Sequence, residues 1–188
     1  MKGTKENYIE IHAGISTRAK WYLDLQQRMR SLDVSCKQNR FHITALFMYD
    51  DALKNKLIEA FNRILVHSCA PHLTFNKLDA FTSRSGKEHI VNLTSTQPEE
   101  EFCQLVERLR NGAKELGADL EDFRLHVTIA RVPVDKLSLE DLQKLISEIY
   151  LPEFRLALTT IEYRYRMCNL KEGLIAGWNC DGTNNTFL

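Results

Sequence analysis

Two short stretches carry residue types that could do chemistry together. Arg40-Phe41-His42-Ile43-Thr44 and Arg124-Leu125-His126-Val127-Thr128 both read Arg, large apolar, His, β-branched, Thr, one in each half of a 188-residue chain. A β-branched residue between two polar ones suits a strand. Residues two apart on a strand point to the same face. Each stretch would therefore aim one imidazole and one hydroxyl the same way. With the strands side by side across a cleft, two histidines and two threonines converge. An imidazole titrates near pH 6.5, so both of its protonation states are accessible near neutrality. One can deprotonate a nucleophile while the other protonates a leaving oxygen, and threonine hydroxyls can donate to nonbridging phosphate oxygens. That is acid–base chemistry on a phosphodiester, and it requires no metal. A lone H-x-T would read as the polar face of a half-buried strand. Two copies in matched surroundings point to a shared site at His42, Thr44, His126 and Thr128.

Three arginines are candidate substrate contacts. Arg40 and Arg124 alternate with their histidines onto the same face, where either could bind phosphate bidentately or stand as an exposed strand charge. Arg131 falls on the opposite face by strict alternation. It reaches the cleft only if the strand ends or bulges before Pro133. His67, Cys69 and His72 follow no defensible zinc spacing and read as polar residues near a helix end, so no metal site is assigned. His12 and His89 lie on expected strands with no partner motif and take structural or surface roles. In Tyr163-Arg164-Tyr165-Arg166 the arginines could pair with phosphate and the tyrosines stack on bases, but one face must pack, which favours the tyrosines as core. Trp178 reads as core.

The elements that must position these groups follow from periodicity. Strands are expected over 8–15, 40–49, 72–81, 88–94, 123–132, 154–167 and 174–178. On the first motif strand, Phe41, Ile43, Ala45, Phe47 and Tyr49 would form one apolar face. Helices are expected over 17–32, 53–65, from Pro98 in a first turn to a stop at Gly117, and from Ser138 to about Tyr150. Ser138-Leu139-Glu140-Asp141 resembles a capping box. Residues 83–87 read as a turn, and 181–188 as a loose tail. Runs of paired strands separated by helices argue for an α+β fold. The paired motifs, each with a helix before and after, suggest two pseudo-equivalent lobes within one domain over 1–188.

The bulk numbers exclude other classes. The 25 basic residues balance the 25 acidic ones, which argues against a broad nucleic-acid-binding surface but allows a local arginine cluster for a small or terminal nucleotide. No apolar run approaches the roughly 20 residues that span a bilayer. The start, Met1-Lys2-Gly3-Thr4, shows no secretory signal. Five scattered cysteines without a C-x-x-C fit a reduced, cytoplasmic compartment.

The stretch Phe123-Arg124-Leu125-His126-Val127-Thr128-Ile129-Ala130-Arg131 resembles the second signature of the two-histidine phosphoesterases, near their 2′-5′ RNA ligase branch. The family reads F-R-P-H-hydrophobic-T-L-A-R there, and Leu125 and Ile129 replace its Pro and Leu. His42-Ile43-Thr44 is similar to the first signature, but Ala45-Leu46-Phe47-Met48-Tyr49-Asp50 departs from the usual Phe-Leu-Gly ending. The resemblance implies a bilobal, pseudo-duplicated α+β fold, with antiparallel sheets around a central cleft and helices outside. It implies His42 and His126 as the acid–base pair, Thr44 and Thr128 as phosphate-binding hydroxyls and Arg131 as a substrate contact. No cofactor, membrane or obligate protein partner is implied; the partner is a nucleotide or RNA-terminal phosphodiester. Hydrolysis of a 2′,3′-cyclic phosphate is the favoured reaction. The alternatives are a 2′-5′ RNA ligase, a phosphodiesterase for signalling oligonucleotides, or a binding module without turnover.

Overall fold

Four helices and nine strands follow one another in the computed structural model, which describes residues 6–48, 53–66, 68–167 and 172–180. Tyr49, His67, Cys168 and the 181–188 tail lie outside the described residues. The order is β1 (Glu6–His12), α1 (Lys20–Arg30), β2 (His42–Met48), α2 (Lys54–Leu65), β3 (His72–Phe75), β4 (Lys77–Thr82), β5 (Glu88–Thr94), α3 (Glu100–Glu115), β6 (Val127–Pro133), α4 (Leu139–Ser147), β7 (Phe154–Ala157), β8 (Thr160–Arg166) and β9 (Glu172–Asn179). The fold is α+β, and every strand pairing is antiparallel. Among the described residues no helix is long and apolar enough to cross a membrane.

Six elements occur twice in the same sequence. β1-α1-β2-α2-β3-β4 matches β5-α3-β6-α4-β7-β8, and β9 adds an edge. The seven-stranded sheet runs β4-β5-β6-β2-β1-β8-β9, and β3 pairs with β7 in a small second sheet. The closing strand of each repeat pairs with the opening strand of the other, β4 with β5 and β8 with β1. The repeats are interlocked rather than set side by side.

That exchange corrects two expected strands. The 72–81 run breaks at Asn76, whose amide side chain holds Thr96, donating from Nδ2 to Oγ1 at 2.9 Å and accepting the Thr96 N–H at Oδ1 at 3.0 Å. The 154–167 run breaks at Leu158, a buried residue whose N–H bonds the Pro71 carbonyl at 2.9 Å. In each case the first piece joins the small sheet and the second the large one. The alternation changes phase at both breaks, from Leu73 and Phe75 to Leu78 and Ala80, and from Leu156 and Leu158 to Ile161 and Tyr163, which marks each change of sheet in the sequence.

Helices lie outside, each turning a buried stripe inward. Tyr22, Leu25 and Met29 do so on α1, Leu57, Phe61 and Leu65 on α2, Phe102, Leu105 and Leu109 on α3, and Leu142 and Ile146 on α4. A fully buried Leu or Phe contributes roughly 1.5–3 kcal/mol. Trp178 is buried, donating to Asn62 Oδ1 at 2.7 Å. α1 starts at Lys20 rather than Thr17, because Ser16 takes the N–H groups of Arg18 and Ala19 in a preceding turn. Pro98 lies just before the α3 N-cap, Glu99, and not in the first turn. Ser138 caps α4 by accepting the Asp141 N–H at 3.1 Å, and the short Asp141 carboxylate accepts the Ser138 hydroxyl at 2.6 Å.

α3 stops at Gly117, with φ at +87°. The Gly117 N–H bonds the Lys114 carbonyl at 2.8 Å and the Ala118 N–H bonds the Ala113 carbonyl at 3.1 Å, the paired closure of a Schellman motif. This turn launches the loop that carries Arg124 and His126. A Cβ at Gly117 would meet nothing within 4 Å, so the cost of Gly117→Ala is conformational, about 1–2 kcal/mol. The variant should melt a few degrees lower; an unchanged melting temperature would remove the left-handed requirement.

Candidate active site

The two halves of the large sheet meet where Ile43 on β2 pairs with Val127 on β6. That antiparallel register sets His42 beside Thr128 and Thr44 beside His126, with the two histidines on a diagonal. All four line one cleft of about 900 Å³. The histidines stand at the mouths of their strands. His42 is the first residue of β2, and His126 precedes β6 by one position.

Each imidazole is fixed the same way. The Nδ1 of His42 lies 3.0 Å from the Arg40 carbonyl, and that of His126 lies 2.9 Å from the Arg124 carbonyl. A carbonyl only accepts, so Nδ1 carries the proton in both rings. This leaves each Nε2 as the free nitrogen. Arg40 reaches the required orientation in the left-handed region, at φ 51°. Arg40, Phe41 and 123–126 are therefore not strand as expected. Arg40 and Arg124 enter the cleft from loops rather than by alternation.

Arg131 lies in the cleft because β6 bulges. Val91 pairs with Ala130 and Asn92 with Thr128, which leaves Ile129 as the extra residue. The alternation flips after it, and Arg131 joins the cleft lining. β2 bulges at the equivalent place. Ile9 pairs with Leu46 and Glu10 with Thr44, skipping Ala45. This corrects the expected apolar face: Leu46 and Met48 are buried, while Phe47 lines the cleft, stacked on Tyr8. Tyr163 is core, whereas Arg166 lines the cleft and Arg164 joins its charged floor.

Several side chains were not legible as site residues. Glu10 is fully buried beneath His42, with Oε2 3.3 Å from Nδ1. Its other oxygen contacts His12 at 3.1 Å, Arg40 at 3.3 Å and Arg164 at 3.6 Å. Lys37 Nζ lies 3.5 Å from the same imidazole; the Tyr22 hydroxyl, donating to the Lys37 carbonyl, anchors its loop. Phe81 sets its ring edge-on to His126, with centroids 5.2 Å apart, and the Arg124 guanidinium lies 3.5 Å over its face. Arg110 donates to the Ala45 and Glu121 carbonyls, tying β2 to the loop before His126. A Glu flanked by Ile9 and Ile11 is the one signal that could have exposed Glu10, since a carboxylate in a strand buried on both faces needs cationic partners.

Burial dominates the electrostatics. It pushes the His42 pKa down to about 4, against the pull of Glu10 and in the same direction as Lys37. Burial lowers His126 too, helped by Arg124 and Arg131 and opposed by the Arg124 carbonyl. Burial would raise Glu10, but the His12 hydrogen bond and the surrounding cationic groups outweigh it and hold the carboxyl down to about 2. His12 is raised, chiefly by its bond to Glu10. Glu10, His12 and Glu162 place three donor atoms within 4.8 Å of one another. Arg40 and Arg164 already meet that negative charge. His72, from the trio with His67 and Cys69, is bound instead to Glu101 at 3.1 Å. His89 is buried against the Thr82 hydroxyl.

A profile of the 2′-5′ RNA ligase superfamily matches residues 19–166. No curated protein sequence is significantly similar to the chain. Solved structures share the fold at low identity. Escherichia coli LigT complexed with NADP+ superposes with a TM-score of 0.57 at 15% identity, covering 96% of this chain and 99% of that one. TT0787 of Thermus thermophilus gives 0.59 at 14% identity, covering 95% and 100%. Usb1 of Kluyveromyces marxianus gives 0.55 at 10% identity, covering 84% and 92%. The profile spans both H-x-T pairs and most of the chain between its first helix and β8, and on that ground the chain belongs to the 2′-5′ RNA ligase superfamily, the two-histidine phosphoesterases.

Proposed function

We propose that the chain is a metal-independent phosphodiesterase that hydrolyses a 2′,3′-cyclic phosphate, or a related nucleotide or RNA-terminal phosphodiester. The observation that carries this reading is the pair of imidazoles in one cleft, each held through Nδ1 by a backbone carbonyl and each beside a threonine of the opposite strand. Solved forms of E. coli LigT with 3′-AMP, ATP and NADP+ are consistent with a nucleotide ligand for this fold.

In this reaction the neutral Nε2 of one histidine takes a proton from water as the water oxygen attacks phosphorus. The bond from phosphorus to one ribose oxygen breaks, and the imidazolium Nε2 of the other histidine protonates that oxygen. The product is a phosphomonoester beside a free hydroxyl. Thr44 and Thr128 donate to the nonbridging oxygens as charge builds there. Arg124 brings positive charge to the phosphate while stacked on Phe81, and Lys37 brings a second cation beside His42. Arg40 sits between Glu10 and Glu172 and contributes less, which narrows its role as a phosphate contact.

Steady-state kinetics on 2′,3′-cyclic mononucleotides and cyclic-phosphate-ended RNA should show His42→Ala and His126→Ala each losing about 10²–10⁴-fold in kcat. Thr44→Val and Thr128→Val should each lose up to about 10²–10³-fold. The double histidine variant should lose far less than the product of the singles, because the two act as one unit. A folded single histidine variant with near-native turnover would remove that histidine from the reaction. Activity on 2′-5′ oligonucleotides or joining of RNA ends, with none on cyclic phosphates, would favour the ligase reading instead.

The pH profile has a defined sign. Burial disfavours the charged form of both imidazoles, so both titrate below 6.5 in the free protein. One must be neutral and the other protonated, so kcat/KM should be bell-shaped with its maximum on the acid side of 6.5. A maximum above about pH 7.5 would contradict this assignment. Turnover should be unchanged by EDTA; loss on chelation with recovery on adding a divalent ion would overturn the metal-independent mechanism.

A further inference from the structure

The two repeats place Glu10 and Asn92 at equivalent positions. Glu10 faces Thr44 on one side and Glu162 on the other, beside the β2 bulge. Asn92 faces Thr128 and Asp79, beside the β6 bulge. Both are buried. The backbone is repeated here and the charge is not. Glu10 Oε2 lies 3.3 Å from His42 Nδ1, whose hydrogen bond goes to the Arg40 carbonyl at 3.0 Å. Asn92 turns its amide away, donating to the Asp79 and Ile90 carbonyls at 3.1 and 3.3 Å. The next strand repeats the contrast. Arg164, opposite Tyr8, pairs with Glu10, whereas its counterpart Phe81, opposite Ile90, sets a neutral ring against His126.

We infer that Glu10 is a positioning residue that acts through His42 and makes the two imidazoles chemically inequivalent. The inference rests on the acid–base reading of His42 and His126 for its catalytic meaning. An ionised carboxylate beside Nδ1 favours the imidazolium of that ring by its charge, while the Arg40 carbonyl holds the ring plane. His126 has a carbonyl in that place and no carboxylate among the described residues. The groups facing Glu10 and His42 are His12 on β1, Lys37 and Arg40 before β2, Glu162 and Arg164 on β8 and Glu172 on β9. Lys37 opposes Glu10 at the ring, so Glu10 is the carboxylate that offsets a cation already in contact with His42.

The test is to titrate both histidines by NMR in the substrate-free protein, wild type against Glu10→Gln and Glu10→Asp, alongside kcat/KM–pH profiles. Glu10→Gln should move the His42 titration to lower pH by about 1–3 units and leave His126 where it is. The kinetic limb that belongs to His42 should move with it, while KM stays near its original value. Glu10→Asp keeps the charge but withdraws it from Nδ1, so His42 alone should shift, by less. This variant carries the test if Glu10→Gln does not fold. An unmoved His42, or equal movement of both histidines, would overturn the inference. The titration needs no substrate, so it stands apart from the acid–base reading. If His42→Ala kept full turnover while Glu10→Gln still shifted His42, the reading would fail and the coupling would survive.

Discussion

Ile43 faces Val127 at the seam between the two halves of the large sheet, and the cleft depends on that contact. β1 and β5 pair with their neighbours along most of their length, whereas β2 and β6 share this one register pair. The strand mouths are therefore left open with a polar pair on each side, and the side-chain period of two decides which groups share the opening. A one-residue slip of either strand would turn its imidazole into the core and bring its β-branched residue to the cleft. Exchange of β4 and β8 between the repeats secures the register from both flanks, because neither repeat can shift without the other.

The same opening is lined by more cations than carboxylates, but four of its arginines are held in ion pairs. Arg40 pairs with Glu10 and Glu172, Arg166 with Glu6, Arg131 with Glu88 and Arg84 with Glu121. Arg124 is held differently, by the face of an aromatic ring that positions a cation without neutralising it. Over a chain of zero net charge, the cationic excess is thus local to the cleft and tempered by these pairs. The arrangement suits one phosphate received at a point more than a long polyanion held along a track.

Much of the candidate site's geometry was written in the local sequence. His42-Ile43-Thr44 and His126-Val127-Thr128 carry their strand preference and their chemistry in the same three residues, and the condition placed on Arg131, a bulge before Pro133, is the geometry β6 adopts. Helix faces were legible because a stripe of apolar residues has few other uses. What alternation cannot encode is a bulge or a change of partner. The bulges at Ala45 and Ile129 add one residue without any compositional mark and reverse the face of Phe47 and Arg131. Breaks at Asn76 and Leu158 move the chain between sheets, and there the alternation does shift phase, though nothing in it names the new partner strand. Glu10 was hidden for another reason: its partners come from separated segments, and its burial is tolerable only once all of them arrive.

The central claim is that two imidazoles address one phosphorus through their Nε2 atoms. A crystal structure with a bound nucleoside phosphate or a vanadate adduct of a nucleoside tests it most directly. Both Nε2 atoms should lie within about 3 Å of oxygens on opposite sides of the same phosphorus or vanadium, with Thr44 and Thr128 on the remaining oxygens. An anion seated away from the seam, or touched by only one of the two rings, would contradict it.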